Sequence, residues 1–150
     1  MEPVVAKIAE QFKVVHQQLR DEVRGLSIDE LNWKPASDTN SIAALVVHTL
    51  GSEAEVLRVA ANVTGSRDRD AEFLVTADNA EELIRQIDHA DAYIDDLAAR
   101  ITADDLAALR ERGGRAPQTS LHWLLTNYGH AREHLAHIQL TKQLYATATS

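Results

Sequence analysis

The sequence predicts an all-α domain, a four-helix bundle with short extra helices, and three observations carry this. Apolar residues recur every three or four positions along four long stretches bounded by helix-start and helix-stop residues. Hydrophobic residues make up 45% of the 150 but aromatics only 5%, with three prolines and six glycines, a usage that favours helices over a sandwich or barrel. Stretches of roughly 20 to 26 residues would each extend about 30–40 Å. Four such rods bury their apolar stripes most simply by packing side by side.

The first long helix is expected from Pro3 to Arg24. Proline suits a first helical turn, where its missing N–H would have no partner, and Gly25 is a natural stop. Val4, Ile8, Phe12, Val15 and Leu19 form its stripe. Ser27-Ile-Asp-Glu30 then reads as a capping box opening a brief turn, which Pro35 ends. The second long helix starts at Asn40 or Ser41, both good caps, and runs to Thr64-Gly65. Residues 66–75 read as an ordered loop. Asp78-Asn-Ala-Glu81 is a further capping box, opening a third helix to Arg100 with a stripe of Leu83, Ile87, Ala90, Ile94 and Leu97. Thr102-Ala-Asp-Asp105 nucleates a short helix stopping at Gly113-Gly114. The fourth long helix starts at Thr119 or Ser120 and continues to Tyr145, with 146–150 a tail expected to fray. Residues 1–150 thus read as one domain. The longest connections, 25–39 and 64–78, admit a crossover topology as readily as an up-and-down one.

With no cysteine, disulfides, thiolate ligands and a cysteine nucleophile are excluded, which suits a reducing compartment. The N-terminus lacks a basic segment followed by an apolar stretch, so no signal peptide is expected. The apolar run Ile42–Val47 is far too short to span a bilayer. A cytoplasmic location follows as an expectation. A formal charge of −8, with Arg and Lys scattered among acids, would repel a phosphate backbone and argues against nucleic-acid binding.

Chemistry is concentrated in the histidines. His130-Ala-Arg-Glu-His134 has the i,i+4 spacing that points two imidazoles to one side of a helix, and His137 shares the sector with Trp123, Asn127 and Thr141. Leu121, Leu124, Leu125, Leu135 and Ile138 flank this stripe, so it faces inward, where polar groups cost stability unless satisfied. His48 interrupts the run from Ile42 to Leu50. It is either a core histidine hydrogen-bonded to a neighbour or a third nitrogen for the pair on the fourth helix. Three imidazoles suit zinc, nickel, iron or copper and leave a position open for water or substrate. His137 is a substrate-contacting group, a support for a ligand, or an ordinary core-edge histidine. Glu53 and Glu55 are candidate proton acceptors or supporting carboxylates, or solvated acids. Arg67, Asp68 and Arg69 either hold an anionic substrate or form a solvated salt-bridged loop. His16, His89 and His122 read as surface or packing residues.

Leu31-Asn-Trp33-Lys-Pro35, then Asn40-Ser-Ile-Ala-Ala-Leu-Val-Val-His48 and Glu53, together with Tyr128-Gly-His130-Ala-Arg-Glu-His134-Leu-Ala-His137-Ile138, resemble the DinB-like family, also called YfiT-like metal-dependent hydrolases. The resemblance spans nearly the whole chain. It implies a four-helix bundle holding a divalent metal, often zinc or nickel, on one histidine of the second helix and two of the fourth. Carried over by position, these are His48, His130 and His134. It also implies a homodimer and, for some relatives, use of a low-molecular-weight thiol such as mycothiol or bacillithiol. The family is named after a damage-inducible gene.

Three functions remain open at this point. One is a metal-dependent S-transferase joining a small thiol to a small electrophile. Another is a hydrolase in which metal-bound water attacks, aided by Glu53 or Glu55. The third is a non-catalytic, metal-stabilised binding or stress-response bundle. Bundles host all three.

Overall fold

A computed structural model describes residues 1–150, and its four long helices carry the apolar stripes. The elements are α1 (Pro3–Val23), α2 (Ile28–Asn32), α3 (Ile42–Ala60), α4 (Arg69–Glu72), α5 (Ala80–Ala98), α6 (Ala103–Ala107), β1 (Leu109–Arg110), β2 (Gln118–Thr119) and α7 (Ser120–Thr149). Side-chain caps set most starts: Ser27, Ser41, Asp68, Asn79, Thr102 and Thr119 each accept from a backbone N–H three residues on. Thr102 and Asp105 complete the reciprocal box.

Several boundaries differ from expectation, each for a local reason. Val5, not Val4, joins the core of α1, and Val4 is 45% exposed. The second long helix ends at Ala60 instead of Thr64, because Asn62 turns left-handed (φ 55°) and the Val63 N–H reaches back to the Arg58 carbonyl. The third cap is Asn79, one residue later than expected, with the Asp78 N–H donating to the Glu82 carboxylate. The segment read as a loop contains α4. Residues 109–119 form a short hairpin, with Leu109 opposite Thr119 and Arg110 opposite Gln118, and Gly113 and Gly114 supply the positive φ its tip requires. The terminal residues extend α7 to Thr149: Tyr145 packs edge-on against Trp33 at 5.5 Å between centroids, and Thr147 and Thr149 bond back to Gln143 and Tyr145.

α1 packs against α5 and α7, and α3 against the same two, which leaves α1 diagonally opposite α3. The connections 24–41 and 99–119 therefore cross the ends of the bundle. Core residues divide into two apolar clusters. One gathers Val15, Leu19, Ile42, Leu50, Ile87, Leu135 and their neighbours. The other gathers Phe12, Val56, Leu57, Ile94, Leu97, Trp123 and Leu124. Between the clusters, each long helix turns a polar side chain inward: His16 from α1, Ser52 and Glu53 from α3, Asp91 from α5 and Asn127 from α7. No helix is long and apolar enough to cross a membrane.

Candidate metal centre

His48 leaves α3 toward α7, where His130 and His134 point back at it from adjacent turns. The His48 and His130 Nε2 atoms are 3.2 Å apart, and those of His130 and His134 2.9 Å. One nitrogen from each of the three rings lies within 4.8 Å of the other two, a grouping able to hold a metal ion. Nitrogens about 2.0–2.1 Å from a tetrahedral zinc ion are themselves roughly 3.3 Å apart, so the spacing fits the ligand set.

The electrostatics fit as well. Burial lowers the pKa of all three rings, and neighbouring imidazoles further disfavour a proton on His130 and His134. His130 is pushed down to about 4, by burial and then by His48 and nearby arginines. His134 falls to about 3, by burial and then by His130, His48 and His137. For His48 burial outweighs the raising effect of Glu72. Three converging neutral imidazoles cannot all satisfy one another through hydrogen bonds, and a Lewis acid resolves the conflict that a proton cannot.

Neighbouring groups set the rings' orientation. Glu72 Oε1 lies 3.0 Å from His48 Nδ1 and Arg67 Nη2 lies 3.2 Å from it. The carboxylate can only accept, and its shorter contact favours a proton on Nδ1, which would leave the Nε2 lone pair facing the cluster. Glu72 is fixed in turn by both ends of the Arg67 fork, at 2.9 and 2.8 Å. It sits against α3 because Gly51 has no side chain: a Cβ there would lie 1.9 Å from Glu72 Oε2. His134 Nδ1 meets His137 Nδ1 at 3.2 Å. His130 Nδ1 is buried without a partner.

The other residues singled out from the sequence divide clearly. Glu55 faces the polar side of the centre, accepting from Arg112 Nε at 2.8 Å and Arg67 Nη1 at 3.4 Å, and these arginines hold its pKa down against burial. Asn127 lies beside it, donating to Ser52 Oγ at 2.7 Å. Arg67 is half-buried and paired, not part of a solvated loop. His137 is exposed at the edge. Trp123 is turned to the hairpin, where its indole N–H donates to the Arg110 carbonyl at 2.8 Å. Leu125, assigned above to the inward flank, is 52% exposed.

Glu53 is not brought to the centre. Five residues beyond His48 it projects from another side of α3, where Oε2 bonds His16 Nε2 and Oε1 has no partner. His16, read above as a surface or packing residue, is wholly buried between Glu53 and Asp91, with Asp91 Oδ1 2.6 Å from Nδ1. Burial alone would depress its pKa, but the charge of Glu53 and hydrogen bonds to both carboxylates raise it to about 9. Sequence reasoning also missed Glu72 and Arg112. His16 carried a usable signal, since it follows Phe12 by four on the apolar stripe. The other two carried none.

Two cavities of about 350 Å³ flank the histidines. None of the eleven residues lining the first, which includes His48 and His130, is hydrophobic. The second opens beside His134 and His137 and is bordered by Pro35, Leu45, Leu140 and Leu144.

Solved structures share the fold. A conserved protein from Enterococcus faecalis superposes with a TM-score of 0.77 at 16% identity, covering 96% of this chain and 97% of that one. A DinB-like protein from Bacillus cereus gives 0.73 at 12% identity, covering 93% and 91%. Another from Bacillus subtilis gives 0.72 at 18%, covering 93% and 92%. No curated protein matches. The family model described as the DinB superfamily matches residues 11–138, and the chain belongs to that superfamily.

Proposed function

We propose that the chain is a metal-dependent enzyme acting on small molecules, with His48, His130 and His134 holding a divalent cation, zinc or nickel before iron. Its reaction is transfer of a low-molecular-weight thiol to a small electrophile. The observation that carries this is the convergence of three neutral imidazoles between a wholly polar cavity and a partly apolar one. A bound cation with three nitrogen ligands keeps coordination positions open and eases deprotonation of a thiol or water there. The chain's own residues do the rest. Glu72 fixes the His48 tautomer, His137 accepts from His134, and Leu140 and Leu144 border the cavity suited to an apolar electrophile.

Transfer is favoured over hydrolysis because no free carboxylate faces the cluster. Glu55 and Glu72 are both engaged by arginines, and Glu53 is engaged by His16. This removes the carboxylate-assisted form of hydrolysis, in which one of them would take a proton from water.

Elemental analysis of protein purified without an affinity tag tests the metal assignment. Stoichiometric zinc or nickel is expected, and His134→Ala should abolish it while the far-ultraviolet spectrum remains helical. Full metal content in that variant would overturn the assignment. Turnover of a thiol with a halogenated aromatic, against turnover of an activated ester without thiol, separates transferase from hydrolase. Metal binding with neither activity would leave a metal-stabilised binding module.

A further inference from the structure

The polar cavity beside His48 and His130 has a charge that the site so far described does not use. In a chain of formal charge −8, four guanidinium groups line it: Arg67, Arg69, Arg112 and Arg115. The nearby carboxylates are Glu55 and Glu72, and both are committed to Arg67 and Arg112. Arg112 is 8% exposed and further anchored on Ser52, donating to its hydroxyl at 2.9 Å and its carbonyl at 3.2 Å. Arg69 lies over the Phe73 ring, 5.0 Å from its centroid. Neither Arg69 nor Arg115 has a carboxylate partner, so the cavity keeps an excess of positive charge at its rim. Asn127 adds a second signal: it is 2% exposed, lines the same wall, and its Oδ1 has no partner.

We propose that this cavity is a binding subsite for an anionic cosubstrate, a small polar molecule carrying a carboxylate or phosphate and a hydroxyl or amine donor. The anionic group pairs with Arg69 and Arg115 above the fixed Arg67–Arg112 floor. The donor meets Asn127 Oδ1, and the reacting end lies at His48 and His130. Planar guanidinium forks suit both oxyanions. A wall with no hydrophobic residue excludes an apolar substrate from this side, leaving the electrophile to the cavity bordered by Leu140 and Leu144. The inference rests on the proposed function for the identity of the reacting centre. The anion subsite itself is built from residues that are not ligands.

Calorimetric titration with inorganic phosphate and with succinate tests it, on protein as purified and after chelation, with a neutral methyl glucoside as control. At least one anion should bind with a dissociation constant below about 10 mM, in both metal states, while the glucoside does not. The tighter anion identifies phosphate or carboxylate as the preferred group. The double variant Arg69→Gln/Arg115→Gln, both positions exposed, should fold normally, keep its metal and bind at least about tenfold more weakly. Absence of binding, equal binding by the double variant, or binding confined to the metal-loaded state would each overturn the subsite. Loss of the metal assignment with anion binding retained would instead count against the proposed function alone.

Discussion

Glu72 holds His48 and Arg67 at once, and replacing its charge separates those duties. Glu72→Gln keeps the shape but weakens the acceptor behind His48, so metal affinity should fall about 10–100-fold with helicity unchanged. Gly51→Ala should act in the same direction from the opposite side, since its new methyl would displace the same carboxylate. An alanine ordinarily favours a helix over glycine by about 1 kcal/mol, so lost affinity without lost helix would isolate the steric cause. Competition against a chromophoric chelator measures both, and unchanged affinity in Glu72→Gln would show that His48 is oriented by something else. At this scale the sequence was readable where a residue broke a periodic pattern. His48 stands in an apolar run, and His130 and His134 are one turn apart. Glu72 and Arg112 meet their partners across 24 and 57 residues of chain. Only tertiary packing makes those contacts, and neither residue disturbs a local pattern. Glu53 misled because five residues round a helix is a different face.

Among the helices, the polar layer between the two apolar clusters ties α1 to α3 and α5 through His16. A buried imidazolium flanked by two carboxylates costs desolvation that mutual pairing offsets. Removing one member strands the rest. Glu53→Leu should therefore destabilise the bundle by about 3–5 kcal/mol, by leaving His16 without its deepest partner. Adding His16→Leu should recover much of that loss, because Asp91 keeps Arg20, which also holds Asp88. Denaturant titration of both variants and of His16→Leu closes the cycle; purely additive effects would mean the pair is not coupled. The long helices were legible because caps and apolar period agree. The hairpin was not, as two-residue strands are too short to show alternation. The end of α3 was set by the left-handed turn at Asn62, which no periodicity announces.

For the whole molecule, the same imidazolium makes stability depend on pH. Its folded pKa of about 9 lies above the ordinary histidine value of 6.5, so its contribution is complete below pH 6.5 and is lost as pH rises through 9. Between those limits stability should fall by up to about 1.4 kcal/mol per pH unit, one proton's worth. Melting temperatures at pH 7 and pH 9 measure the slope, and the doubly apolar variant at residues 16 and 53 should show a flatter profile. An equal slope in both proteins would assign the effect to another group. The bundle class was visible in the sequence, whereas its diagonal wiring was not, since connection lengths allow either path.

The three-histidine group is divided between two helices, with one ring on α3 and two on α7. A loosened state that kept every helix would retain the His130–His134 couple yet lose the third donor. Cation uptake is therefore a gauge of native docking that circular dichroism cannot supply. It also means a bound ion would rivet these two rods at the height where the two cavities flank them.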